Sequence, residues 1–585
     1  MSSPITHKEK ESPDSPAKSP ERETTSGFLG VVEKIGNKLP DPFWLFVIIG
    51  GIVAVTSWIG AKVGMSAEDP ATGEAVAVKS LLSTEGLQMM VNDAVENFIT
   101  FPALGLIITV MLGVAVAEQS GLISAVIRAM VAKVGPRMLT FAVALAGVTG
   151  SVASDAVYVI LIPLGAMSFR ALGRSPIVGA IVAFAASSAG FNASLVLNAT
   201  DVLLGGISSS AAGIVEPGYH VSALANYFVV FFSSFVLALI ITAVTELYMN
   251  KKAYALVDHE QISYEELSFD RAAGGSQGDE VDPLEAETGQ AAESDAGAAD
   301  ADASAKTGAD VDADGNTDSR EVAKESLQLE PQENRALIIT GIASVVLLAG
   351  YFALMFISGS PLQGPGGEVM ESPLIKQVAV PIALGFFVLG LLYGVLAGTI
   401  TKAQDVPDFM AKGLRTLVPM MVLFFAIAQF LAWFQWSNLG NWTAITGAGL
   451  LQKWDLPPLV LFGAFVLLVA LINLLITSGS AQWALMAPVV VPMFMYVGIS
   501  PEVTQMLFRI GDSPSNIITP MSPYFALALT FLQRYYKPAG IGTLMSLALP
   551  YSIAMLIGWF LFFCIWWLTG LPLGPGTPMD YSLPQ

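Results

Sequence analysis

The chain has 585 residues and a mean hydropathy of +0.62; 54% of it is hydrophobic and only 13% charged, against about 25% in soluble domains. Long uncharged runs are too many for a soluble helical core, and the short alternating segments of a membrane β-barrel are absent. The net charge of −20 is local: the stretch Asp258–Glu333 holds 22 acidic and 4 basic residues, so it carries −18 by itself and says nothing of a substrate.

In chain order, residues 1–40 form a polar tail rich in Ser, Pro, Glu and Lys, expected to be disordered and without a cleavable signal. Its basic residues Lys8, Lys10, Lys18, Arg22, Lys34 and Lys38 place it in the cytoplasm. A first membrane half covers 41–255. It opens with apolar runs at Phe43–Trp58 and Phe101–Ala117, separated by a loop, Gly64–Asn97, with Lys79 as its one lysine and hence outside. Leu122–Val134 has apolar residues at helical spacing with Arg128 and Lys133, and reads as an interfacial helix on the inner face. At about 138–169 a short apolar arm ends in the patch Thr149-Gly150-Ser151-Val152-Ala153-Ser154-Asp155, and a second arm returns. The flanks Arg137, Arg170 and Arg174 are all basic, so this is a re-entrant hairpin entering and leaving on the cytoplasmic side. A broken helix follows, interrupted at Gly190-Phe191-Asn192-Ala193-Ser194 and Asn198-Ala199-Thr200-Asp201, and then the run Tyr227–Val244.

Residues 256–333 form the acidic cytoplasmic insert. Asp310, Asp312, Asp314, Gly315, Asn316, Asp318 and Glu321 fit a calcium-loop pattern; a solvated, disordered linker is the alternative. The second half covers 334–573. Its runs Ala336–Ile357 and Val378–Leu396 are followed by the inside-marking Lys402, Lys412 and Arg415 and a span to about residue 436. A second hairpin occupies about 457–498, with the tip Thr477-Ser478-Gly479-Ser480-Ala481-Gln482-Trp483 and flanks of low positive charge, so it opens outward. Its broken helix runs through Arg509-Ile510-Gly511-Asp512-Ser513-Pro514-Ser515-Asn516 to Thr519-Pro520. The last run, Ile541–Leu568, puts the tail 574–585 outside.

The expected fold is therefore an all-α polytopic membrane protein of inverted repeats, with about nine transmembrane helices plus two re-entrant helical hairpins. Either patch alone is explained equally well by a Gly/Ser kink for close packing; two in opposite orientation, each followed by a broken helix, point to a transport site. Non-helical backbone at membrane depth survives where it is buried or lines a wet cavity, and hairpin tips present helix ends to ions.

Several residues can carry that chemistry. Asp201 and Asp512 stand in apolar segments, where an ionisable group costs roughly 2.5–3.5 kcal/mol and is usually functional. Asn473, Ser480, Asp512 and Asn516 offer hard oxygen ligands for a small cation such as Na⁺. Arg509, one turn from Asp512, either pairs with it or forks a substrate carboxylate. Trp483 either stacks on an aromatic substrate or anchors at the interface, and Asp155 is either a coupling site or a helix N-cap. Ser151, Asn192 and Ser194 are the further polar candidates of the first half. Cys564 excludes a disulfide framework by being single. The three scattered histidines, His7, His220 and His259, leave no metal cluster and no nucleophile–base pair near either hairpin, so an enzyme is not expected.

Ser480-Ala-Gln-Trp483, Pro501-Glu-Val, Arg509-Ile-Gly-Asp512 and Asn516-Ile-Ile-Thr-Pro520 resemble the AbgT family of p-aminobenzoyl-glutamate transporters, as do Ala153-Ser-Asp-Ala, Leu161-Ile-Pro-Leu and Asp201 before Leu203-Leu-Gly-Gly-Ile. The resemblance spans about 27–255 and 330–575 and implies a homodimeric, bowl-shaped transporter of the bacterial inner membrane. It implies functional positions at Asp201, Ser480, Trp483, Pro501, Arg509, Asp512 and Pro520, and a sodium site at Asn473, Asp512 and Asn516. Two places depart from the family pattern: Gly190-Phe-Asn192-Ala-Ser194 exchanges the expected Ser and Asn, and Asp201 precedes Val202 rather than proline. The expected function is cation-coupled secondary transport of p-aminobenzoyl-glutamate or related aromatic carboxylates, with export of sulfonamides as an extension. Na⁺ or H⁺ is the coupling ion; no cofactor and no nucleic-acid partner are expected. A Na⁺-coupled dicarboxylate symporter is the alternative, and a channel or membrane hydrolase the rival from another class.

Overall fold

The computed structural model describes residues 40–583 apart from 69–72, 74, 133, 154–155, 257–328 and 370. The N-terminal tail, most of the acidic insert with its calcium-loop pattern, and Asp155 lie outside the described residues.

The first half opens with α1 (Pro42–Val63), started by the Asp41 carboxylate accepting from the Phe43 N–H and by proline in the first turn, and ended by Gly64 in the left-handed region. A two-stranded hairpin, β1 (Ser66–Glu68) and β2 (Ala75–Ala77), follows. Then come α2 (Pro102–Gln119), α3 (Leu122–Ala132), the hairpin α4 (Leu139–Thr149) and α5 (Ala156–Ala171), the broken helix α6 (Pro176–Phe184) and α7 (Ala199–Ala212), and the long α8 (Tyr227–Val244). The second half supplies α9 (Pro331–Phe356), α10 (Ala379–Ala397), α11 (Asp405–Trp436) and α12 (Leu439–Trp454). Its hairpin is α13 (Pro458–Asn473) and α14 (Gly479–Met495), its broken helix α15 (Pro501–Ser515) and α16 (Pro523–Tyr535), and its last helix α17 (Ile541–Thr569).

Among the described residues, seven helices are long and apolar enough to cross a membrane. The pieces of the two broken helices are too short to be counted on that basis, which separates this number from the expected nine; the hairpin arms, also short, stand outside that nine. The two halves interlock with matching partners. After its break, α7 packs on α14, the return arm of the second hairpin; α16 packs on α5, the return arm of the first; and α8 packs on α17. This reciprocity is what an inverted repeat produces.

Small residues set the closest approaches. A Cβ on Gly113 of α2 would stand 2.0 Å from the Ala383 carbonyl of α10, and one on Gly179 of α6 would stand 2.2 Å from the Gly165 carbonyl of α5. The α3 helix, expected at the interface, buries Ile123, Ala125, Ile127 and Val131 while Arg128 pairs with Glu333 of α9 at 2.7 Å. At the opposite end of the molecule the C-terminal segment is pinned down: Tyr581 donates its N–H to Gly498 and its hydroxyl to Glu216.

Candidate functional site

Both helix breaks meet at the centre of the molecule. In the second half, Pro514 and the short 3-10 turn Asn516–Ile518 end α15, and Asn473 ends α13 beside it. The Asn473 Nδ2 donates to the Asp512 backbone carbonyl (2.7 Å), to Ser515 Oγ (2.8 Å) and to Asn516 Oδ1 (3.0 Å). Its own Oδ1 is left buried and unpartnered. Asp512 Oδ2 accepts from Asn192 Nδ2 at 2.7 Å, while Asp512 Oδ1 has no partner. The tip of the second hairpin closes over this carboxylate: a Cβ on Gly479 would lie 3.1 Å from Asp512 Oδ2. A buried acceptor left without a donor is costly, so two such oxygens around one carboxylate suit a small hard cation.

Arg509 stands one helical turn before Asp512, yet it does not pair with it. Its Nη1 bonds Asp201 Oδ1 at 2.7 Å and the Asn192 carbonyl at 3.3 Å. Its Nε and Nη2 are buried without partners. These two form one edge of the guanidinium, the edge that takes a carboxylate in a fork. Asp201 is held by a capping box at the start of α7: Asn198 Oδ1 accepts from the Asp201 N–H, and Asp201 Oδ2 accepts from the Asn198 N–H. Asn198 Nδ2 in turn donates to Ser151 Oγ at 3.2 Å, tying the first hairpin tip to the Arg509 pair. Asn192, at the first-half break, touches Arg509, Asp512 and, through its N–H, Ser513 Oγ.

Trp483 is wholly buried, which removes the interfacial-anchor reading. Its ring packs on Phe508, centroids 4.6 Å apart, and its indole N–H donates to Ser208 Oγ at 3.0 Å. From there a one-way relay runs along α15: Ser208 Oγ donates to Gln505 Oε1 (2.6 Å), Gln505 Nε2 to Asn226 Oδ1 (2.9 Å) and Asn226 Nδ2 to the Glu502 carbonyl (2.9 Å).

The structure thus brings together Asp201, Arg509, Asp512, Asn473, Asn516 and Asn192, with Ser151 linked to them through Asn198. Arg509 pairs with Asp201, not with Asp512 as the in-helix spacing allowed, because the break before α7 delivers a carboxylate from the other half. Pro501 does not join them. It starts α15 behind the Ser500 cap, eight residues and about 12 Å along the axis from Arg509. Pro520 follows Thr519, whose hydroxyl donates to the Leu474 carbonyl and so fixes the turn to the hairpin. Ser480 Oγ lies 3.3 Å from Ser478 Oγ in the hairpin tip, and Ser194 Oγ closes a local turn by accepting from the Val196 N–H. Ser208, Asn226, Gln482, Gln505, Ser513 and Ser515 were not among the sequence candidates. For Gln505 and Ser513 the signal is the spacing in α15, where Gln505, Arg509 and Ser513 recur every four residues on one polar face; Ser208, Asn226 and Gln482 lie on other elements, where that spacing gives no signal.

A profile of the "AbgT putative transporter family" matches residues 27–268 and 310–581. The p-aminobenzoyl-glutamate transport protein of Escherichia coli (strain K12) is 35% identical over 559 residues, 95% of this chain and 98% of that protein. Among solved structures, the YdaH transporter of Alcanivorax borkumensis superposes with a TM-score of 0.76 at 36% identity, over 92% of this chain and 100% of that one. MtrF of Neisseria gonorrhoeae, whose structure is described with a class of antimetabolite efflux pumps, superposes with a TM-score of 0.79 at 37% identity, over 94% of this chain and 100% of that one.

Proposed function

This chain belongs to the AbgT transporter family, and we propose that it is a cation-coupled secondary transporter of p-aminobenzoyl-glutamate or a related aromatic carboxylate. The observation that carries this reading is the pairing at Arg509. Asp201 neutralises one side of the guanidinium, and the Nε and Nη2 edge stays open for a carboxylate. Next to it Asp512 has no cationic partner within ion-pair distance and keeps one oxygen free. A buried uncompensated charge is unfavourable, so a Na⁺ at Asn473, Asp512 and Asn516, or a proton on Asp512, completes the charge balance and favours anion binding at Arg509. Na⁺ fits the all-oxygen donor set. Co-binding of cation and anion at one interface between the repeats is the coupling.

Trp483 reaches an aromatic ring only when the second hairpin parts from α15, since its ring is enclosed against Phe508. The likeness to MtrF supports export of antimetabolites such as sulfonamides as a second activity of the same site. We place the protein in the bacterial inner membrane as a homodimer with a cytoplasmic N-terminus. The test is binding to the purified protein: Arg509→Ala loses saturable p-aminobenzoyl-glutamate binding, and Asp512→Ala loses its cation dependence. Unchanged binding in both variants refutes the assignment. Displacement by p-aminobenzoate but not by succinate separates this reading from a dicarboxylate symporter.

A further inference from the structure

Among the described residues, three buried side-chain oxygens that can only accept hydrogen bonds have no donor: Asn473 Oδ1, Asp512 Oδ1 and Gln482 Oε1. The first two belong to the cation site proposed above; the third, Gln482, is assigned no role. It lies in the first turn of α14, three residues after the Gly479 that covers the Asp512 carboxylate, and none of its surface is exposed.

Its amide orientation is fixed. Gln482 Nε2 donates to the Val469 carbonyl at 2.8 Å and lies 3.8 Å from Met486 Sδ, so the oxygen is turned away from that carbonyl. Val469 is four residues before Asn473, and in an α-helix the carbonyl of residue i is the acceptor for the N–H of residue i+4. The Gln482 amide therefore sits against the backbone at Asn473. Val469 also lines α15 at the residue before Asp512, since a Cβ on Gly511 would lie 2.6 Å from Val469 Cβ. Three helices thus converge, each with one unpartnered oxygen: α13 with Asn473, α14 with Gln482 and α15 with Asp512.

We propose that Gln482 is a further ligand of the coupling cation, supplying Oε1 from the hairpin tip. This deepens the proposed cation coupling and rests on it. It also gives the cation a direct hold on the second hairpin, because α14 carries both Gly479 and Trp483: binding draws the tip of α14 onto α13 and α15.

The test is saturation binding of radioactive sodium to the purified full-length protein, with Gln482→Leu, Gln482→Glu and Asp512→Asn. Gln482→Leu removes the oxygen at similar volume and is expected to raise the half-saturating Na⁺ concentration at least about tenfold. Gln482→Glu keeps an oxygen and adds charge, so its half-saturation stays at or below that of the wild type, although the Val469 bond is lost. If Asp512→Asn abolishes binding while Gln482→Leu stays within about twofold of wild type, the ligand assignment is overturned and the cation site stands. If the wild type shows no saturable sodium binding, the sodium site falls and this inference with it, which leaves a proton on Asp512 as the coupling ion. Should Gln482→Leu not fold, Gln482→Glu decides alone: a tenfold weaker site, about the loss of a ligand, contradicts the assignment.

Discussion

Arg509 brings a permanent positive charge into the centre of the molecule, and Asp201 takes up only one of its nitrogens. Removing one partner of a buried ion pair costs about 3–5 kcal/mol, so Asp201→Asn is expected to lower the thermal midpoint of the purified protein by more than Ser194→Ala, which loses a local turn bond only. Arg509→Lys keeps the charge and loses the fork; substrate affinity is expected to fall about tenfold or more in a binding titration. Ser208 joins Trp483 to Gln505, and Ser208→Ala leaves both the indole N–H and the Gln505 oxygen without partners, a loss of about 1–3 kcal/mol. If the relay positions Trp483 rather than merely filling space, Ser208→Thr restores transport and Ser208→Ala does not. Equal losses in the two variants would leave the relay a packing feature.

At the scale of elements, the centre is made by helix ends rather than helix faces. One glycine each of α14 and α15 allows it. Gly511 meets the Val466 carbonyl, where a Cβ would stand at 2.6 Å, and Gly479 meets the Asp512 carboxylate at 3.1 Å. Gly511→Ala pushes against backbone that cannot yield and is expected to cost about 1–3 kcal/mol of stability, seen as a lower yield of folded protein. Gly479→Ala pushes against a side chain instead; stability is expected to hold while cation affinity falls. Much of this was legible in the sequence. Two polar tips, two broken helices, and flanks basic at the first hairpin but poor in positive charge at the second pointed to the repeat, because length, charge and helix-breaking residues are local properties. The partner of Arg509 was not legible. Spacing within α15 offered Asp512, whereas the observed partner comes from the other half of the chain. The choice between the two readings of Trp483 was not legible either: a tip residue in sequence is wholly enclosed once Phe508 and Ser208 close on it, which excludes the anchor.

Across the whole molecule the two halves are knitted at the site and tied again at one end. Asn192, Asp201, Ser208 and Asn226 of the first half bond Asp512, Arg509, Gln505 and the Glu502 carbonyl of the second. In the transport cycle proposed above, opening the site to either side breaks these bonds in part and ligand binding restores the balance, so that alternating access between the repeats would couple two solutes. The C-terminal segment holds Gly498 and Glu216 through Tyr581, at the exit of the second hairpin. Truncation before residue 574 is expected to leave the centre intact and to change the rate of transport without changing substrate affinity. The central claim, that cation and aromatic carboxylate bind together at the Arg509–Asp512 centre, is tested most directly by flux of radiolabelled p-aminobenzoyl-glutamate in proteoliposomes under imposed Na⁺ or H⁺ gradients, with Asp512→Ala alongside. Saturable flux that follows one gradient and disappears in Asp512→Ala is the predicted result; flux that ignores both gradients, or that persists unchanged in Asp512→Ala, contradicts it.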